Sequence, residues 1–190
     1  MIRRELATFF AALGYFTRLP VPAWVGYSPD GLARAARYLP LIGLLVGGVG
    51  ALVFWLASQV WAQPVAVVLS MAATIALTGA FHEDGLADTA DGLGGGWDKA
   101  KILAIMKDSR VGSYGVIAIV LALLGKFALL DSLSATEVAV ALIAGHAVSR
   151  FCAVSLMATM DYARDDESSK ARPVAARLGI GALLFALVFA

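Results

Sequence analysis

From Leu39 to Ala62 the chain carries 24 consecutive residues without a charge, and no other feature limits its fold so severely. A helix rises about 1.5 Å per residue, so this run crosses a hydrocarbon core of about 30 Å. Within it, Gly43-x-x-x-Gly47 is the small-residue spacing that lets two membrane helices approach closely, and Gly48 and Gly50 extend the set. Hydrophobic residues make up 60% of the chain and charged residues 15%, against roughly 45–50% and about 25% in soluble domains. The fold class expected is all-α: a polytopic integral membrane helical bundle, residues 1–190 forming a single membrane domain.

Pro64 opens a second apolar run, Val65 to about Phe81, and the short connection makes the pair a helical hairpin. A third span is expected from about Tyr114 to Leu130, with Lys126 near its far end able to snorkel. The fourth covers Ala135 to Met160. The last run, Val174 to Ala190, has 17 residues and reads as a fifth span cut short at a truncated C-terminus. About five spans are therefore expected in 39–190, with short cytoplasmic or interfacial amphipathic helices around them. In the first of these helices Leu6, Phe9, Phe10, Leu13 and Phe16 recur at helical spacing, in a run too short to span. Arg18, Pro20 and Pro22 then follow without the small-residue cleavage pattern of a signal peptide. Ser28 as cap and Pro29 in the first turn open another, to Arg37, with Arg34 and Arg37 on one face. Asp98 to Lys107 reads as a third, surface helix.

Basic residues set the sidedness. Residues 1–38 hold Arg3, Arg4, Arg18, Arg34 and Arg37; the loop 82–113 holds Lys99, Lys101, Lys107 and Arg110; residues 161–177 hold Arg164, Lys170, Arg172 and Arg177. The opposite connections carry none. Thirteen of the fifteen basic residues thus fall on one side, which the positive-inside rule makes the cytoplasm. A net charge of +1 gives no case for nucleic acid. A single cysteine, Cys152, excludes an intrachain disulfide, and a buried apolar position is expected for it.

The chemistry concentrates just after the second run, in Phe81–Asp98, which places Glu83, Asp84, Asp88 and Asp91 within nine residues. On a helix, Asp84, Asp88 and Asp91 fall within roughly 60° of one another. Three such acids repel unless a cation sits among them, and no Lys or Arg occurs between Arg37 and Lys99. Hard divalent cations take oxygen ligands, so these four acids are candidate ligands for Mg²⁺, with Mn²⁺ as substitute. The simpler reading is a solvated acidic turn. Gly85, Gly92 and Gly94–Gly96 would let backbone approach a bulky ligand.

Next comes Asp108-Ser109-Arg110-Val111-Gly112-Ser113. Arg110 can fork onto a phosphate, and Ser109, Gly112 and Ser113 offer donors at the start of the third span. Read alone, Arg110 is equally a positive-inside anchor. Beside the acids, a phosphate or diphosphate substrate is implied. His146 and Arg150 share one face inside the fourth span, where ionisable groups turn to a bundle interior or a wet cavity. Arg150 either contacts substrate phosphate or pairs with an acid such as Asp84. His82 is either a base for a hydroxyl nucleophile or an interfacial residue.

FHEDGLADTADG, KDSRVGSYG, FTRLPVP (Phe16 to Pro22), YLPLIG (Tyr38 to Gly43) and AVSR (Ala147 to Arg150) together resemble the cobalamin synthase family, also called adenosylcobinamide-GDP ribazoletransferase. The resemblance runs in order over nearly the whole chain. It implies a Mg²⁺-dependent, multi-pass inner-membrane enzyme with its site facing the cytoplasm. Such an enzyme joins adenosylcobinamide-GDP to α-ribazole, or its 5′-phosphate, and releases GMP. Membrane lipid would surround it, and a homo-oligomer or a complex with other late-pathway enzymes is compatible with the chain. By the same resemblance, Glu83, Asp84, Asp88 and Asp91 would serve the metal, one of Glu83 or Asp84 could take the hydroxyl proton, and Arg110 would offset charge on departing GMP.

Two alternatives differ in kind. Asp88-x-x-Asp91-Gly92 is similar to the opening of the CDP-alcohol phosphotransferase motif, but Gly94-Gly95 stands where that motif continues with Ala-Arg, and its second Asp pair is missing. A divalent-cation transporter would also use intramembrane acids, expected near the bilayer midplane.

Overall fold

The computed structural model describes residues 2–26, 28–163, 174 and 177–190, and these residues are helical or connecting, without a strand. Arg164, Lys170 and Arg172, counted above for sidedness, lie outside the described residues.

Helix α1 (Ile2–Phe16) turns Ala12, Leu13 and Phe16 into the core. Its apolar face is therefore spent largely on the bundle itself. Glu5 ties it down, accepting hydrogen bonds from the Arg37 guanidinium and, at 2.8 Å, from the Tyr38 hydroxyl. Helix α2 (Pro29–Ala35) starts as expected, Ser28 Oγ accepting the Gly31 amide. It does not stand apart, however. A 3₁₀ turn at Ala36–Tyr38 joins it to α3 (Leu39–Ser58), so Gly31–Ser58 forms one 28-residue apolar helical stretch. Pro40 in the first turn of α3 lacks an amide proton, which suits a tightened turn there.

Helix α3 is the centre of the molecule. It packs against α4 (Gln63–Thr78) as the expected hairpin, Ser70 donating to the Gly50 carbonyl at 2.8 Å. On its other side lies α8 (Ala135–Thr159). A Cβ added at Gly47 would come within 2.6 Å of the Leu142 carbonyl oxygen, and one at Gly43 would strike backbone at His146–Ala147. The small-residue spacing is thus a helix contact, as the sequence implied.

One expectation about a span is corrected. The second apolar run does not continue to Phe81: α4 ends at Thr78, and Gly79 and Ala80 both adopt left-handed backbone, at φ 67° and 60°. The axis turns by 86° into α5 (Phe81–Gly95), and the two make at most one broken span. Of the fifth run, the described residues form α9 (Ile180–Leu187), eight residues long, or roughly 12 Å. Three described helices are long and apolar enough to span, or four if the bent pair is one span.

Cys152 is also corrected: it is exposed. Ala147, Arg150 and Val154 turn inward on α8, and Cys152 falls about 200° from Arg150 around the helix. Helix α6 (Lys99–Ile105) is capped by Asp98, whose Oδ1 accepts the Lys101 amide at 2.8 Å. The third apolar run forms α7 (Ser113–Asp131).

Candidate active site

Helix α5 lies along α7, its C-terminal half beside the start of α7 and its N-terminal half beside the middle. Asp91, buried on α5, accepts the Gly112 amide at 2.6 Å and the Gly115 amide at 2.8 Å. These are amides of the first turn of α7, which a helix leaves without internal partners. No side chain of α7 itself caps that end, so Asp91 does so from outside and locks the loop 108–112 to α5. A Cβ at Gly115 would collide with this carboxylate, and no room exists there for one.

The glycines of α5 are used for packing, contrary to the expectation of space for a ligand. A Cβ at Gly92 would strike Met106, one at Gly94 the Tyr114 ring, and one at Gly96 Ile102. At Gly85 the space is open. Asp84 is exposed on the same α5 stripe, and Asp88 is half-buried one turn further on. Among the described residues no three His, Cys, Asp or Glu side chains converge as a ready-made metal cage. Glu83 lies off this stripe, and its Oε2 is buried without a hydrogen-bond donor.

In the loop, Arg110 lies exposed and hydrogen-bonds Asp108, Nη2 to Oδ2 at 2.6 Å and Nε to Oδ1 at 3.0 Å. These bonds hold the Asp108 carboxyl down at about 2, below the usual carboxylate range. The side chains of Ser109 and Ser113 are exposed on either side. The guanidinium is therefore parked on an exposed carboxylate, a weak pairing in water.

A second group of polar residues sits deeper. Arg150, 5% exposed, reaches His82 Nε2 at 2.9 Å and His146 Nδ1 at 2.9 Å, and donates to the His146 carbonyl at 3.0 Å. Its partners are imidazoles and a carbonyl, so the expected pairing with Asp84 is not formed. Glu83 and Lys126 line one small cavity of about 180 Å³ with His82. Lys126 is thirteen residues along α7 from Ser113, roughly 20 Å from the Asp91 latch. Sequence reasoning assigned Lys126 only to snorkelling and gave His146 no role at the site. The signal available was a lone cation in each of two facing apolar helices.

Asp84 and Asp88 stand on adjacent turns of one stripe and supply hard oxygen donors. Asp91, beside them, has one acceptor position per oxygen beyond its amide bonds. Mg²⁺ is commonly held by one or two carboxylates, with substrate phosphates and water completing the shell. The donor set fits such an ion without Glu83.

A family model described as cobalamin-5-phosphate synthase matches residues 8–190. The chain belongs to this family. Relatives named adenosylcobinamide-GDP ribazoletransferase include that of Leptothrix cholodnii, 52% identical over 190 residues, covering 98% of this chain and 72% of the relative. The one from Ralstonia nicotianae is 54% identical over 182 residues, covering 94% and 70%. That from Shewanella woodyi is 48% identical over 193 residues, covering 100% and 75%. No solved structure matches. Membership of the cobalamin-5-phosphate synthase family makes this chain an enzyme of cobalamin synthesis, carried on apolar helices of membrane-spanning length.

Proposed function

We propose that the chain transfers the cobinamide phosphate moiety of adenosylcobinamide-GDP onto α-ribazole or its 5′-phosphate, at the cytoplasmic face of an inner membrane. The observation that carries this reading is the Asp91 latch, which fastens the Asp84–Asp88 stripe to the Arg110 loop as one unit. An acidic stripe and an arginine loop held together suit a diphosphate, whose transfer depends on positioning and charge neutralisation. A ribose hydroxyl oxygen bonds to the cobinamide-side phosphorus, the phosphorus–oxygen bond to GMP breaks, and the hydroxyl proton passes to a carboxylate. Asp84 and Asp88, with Asp91 beside them, would hold Mg²⁺, which when bound neutralises diphosphate oxygens.

Arg110 exchanges its exposed partner Asp108 for the GDP portion of the substrate, an exchange favoured by the bidentate match of guanidinium and phosphate. Glu83 is the proposed proton acceptor, because one of its oxygens is buried without a donor. The decisive experiment is GMP release from adenosylcobinamide-GDP by purified protein, with and without Mg²⁺. Release that requires both Mg²⁺ and α-ribazole supports the reading, and its absence from folded protein given both would end it.

A further inference from the structure

A cleft of about 640 Å³ opens between α7 and α8, within the 300–1,000 Å³ range of small-ligand sites. Leu121, Leu129 and Leu142 are among its walls, which are apolar along most of their length. The polar side chains of its lining are Lys126, His146 and Ser149. His146 Nε2 is buried there without a partner, its other ring nitrogen being engaged by Arg150. Lys126 and Ala122 line both this cleft and the smaller cavity that contains Glu83. The cleft and the cavity holding the carboxylate assigned above to the hydroxyl proton thus flank one ridge of α7, Ala122–Lys126.

We infer that this cleft receives the aromatic azole base of the acceptor nucleoside, with the ribose beside Lys126, His146 and Ser149. The inference rests on the proposed function and adds to it where the acceptor binds. A flat apolar base suits the leucine walls, and burying it removes apolar area from water at roughly 25 cal/mol per Å². Ribose hydroxyls suit His146 Nε2 and Ser149, and an acceptor phosphate suits Lys126. The ribose then lies against the Ala122–Lys126 ridge that also lines the Glu83 cavity. A lipid would place its charged head at a membrane surface, whereas here the polar side chains lie within the two helices.

Gly125 and Gly145 line the cleft, and a Cβ at either meets nothing within 4 Å. Gly125→Leu and Gly145→Leu thus fill it from opposite walls without disturbing a helix contact. In steady-state assays of the detergent-purified full chain, each should raise KM for α-ribazole about tenfold or more. KM for adenosylcobinamide-GDP should stay within about twofold of wild type, since tenfold corresponds to a loss of about 1.4 kcal/mol. An unchanged acceptor KM in both variants, or equal rises in both KM values, would overturn the inference and leave the proposed function standing. Should wild-type protein release no GMP, equilibrium dialysis with α-ribazole still decides the matter: binding to wild type that both variants lose supports the cleft, and binding that both retain overturns it. Co-purified phospholipid in the cleft that α-ribazole does not displace also overturns it.

Discussion

Asp91 and Gly112 lie 21 residues apart, yet the carboxylate of one accepts the amide of the other at 2.6 Å. With the Gly115 amide on its second oxygen, Asp91 is an external cap for a membrane helix. The stripe of three acids is therefore unequal: one member holds structure together, while Asp84 is exposed and Asp88 half-buried.

This inequality separates two kinds of variant. Asp91→Ala leaves two backbone donors without their acceptor, and each buried orphan costs about 1–3 kcal/mol. Thermal unfolding in detergent should show a clear loss for Asp91→Ala and a smaller one for Asp91→Asn, which retains one acceptor. Equal melting of Asp91→Ala and wild type would deny the cap.

Asp84→Ala and Asp88→Ala should still insert and purify normally while GMP release falls below detection. Chelation of divalent ions from wild type should do the same, reversed by added Mg²⁺. Near-normal release by either variant would take that residue out of the site.

Arg110→Ala should raise KM for the GDP-bearing substrate more than KM for the ribazole, while leaving unfolding unaffected, because its pairing with Asp108 is exposed. Equal effects on the two substrates would count against contact with phosphate.

Helix packing gives a prediction independent of chemistry. Gly47→Ala should destabilise the bundle, since the new methyl meets the Leu142 carbonyl at 2.6 Å. Gly48→Ala meets nothing within 4 Å and should be neutral or stabilising by up to about 1 kcal/mol from helix propensity. Melting temperatures that move together would show that α3 and α8 are not in contact at this spacing.

Acid should loosen α1. The Tyr38 hydroxyl first, and Arg37 with it, hold the Glu5 carboxyl below its ordinary value of 4.5. A depressed carboxylate adds stability that is present above the unfolded value and lost as pH falls through the folded one. The melting advantage of wild type over Glu5→Gln should therefore be constant near neutrality and shrink below pH of about 4.5. An advantage that grows on acidification would rule out the tether.

What could be read without coordinates was what local periodicity controls. The uncharged run of α3, its Gly43–Gly47 spacing, the Ser28 and Asp98 caps and the acid stripe of α5 all follow from residues within a few positions of one another. The bend was not readable, because Ala80 carries no conformational signal and occupies left-handed backbone only where the surrounding fold imposes it. Nor were the contacts of Asp91 with Gly115, 24 residues away, or of Arg150 with His82, 68 away. These depend on how α5 lies on α7 and α8, which no single helix pattern encodes. Cys152 was misjudged for a related reason: hydrophobicity marks a membrane-facing surface and a protein core alike.

The corner at Gly79 and Ala80 has a consequence for where water goes. A helix interrupted partway across an apolar slab strands main-chain dipoles on both sides of the break. The Arg18 amide answers one of them, at the Leu77 carbonyl, but no side chain caps the beginning of α5. Those amides need solvent, so hydration must reach down to His82 and Glu83 from the polar side. The elbow is thus a place where the main chain itself calls for water beside His82 and Glu83.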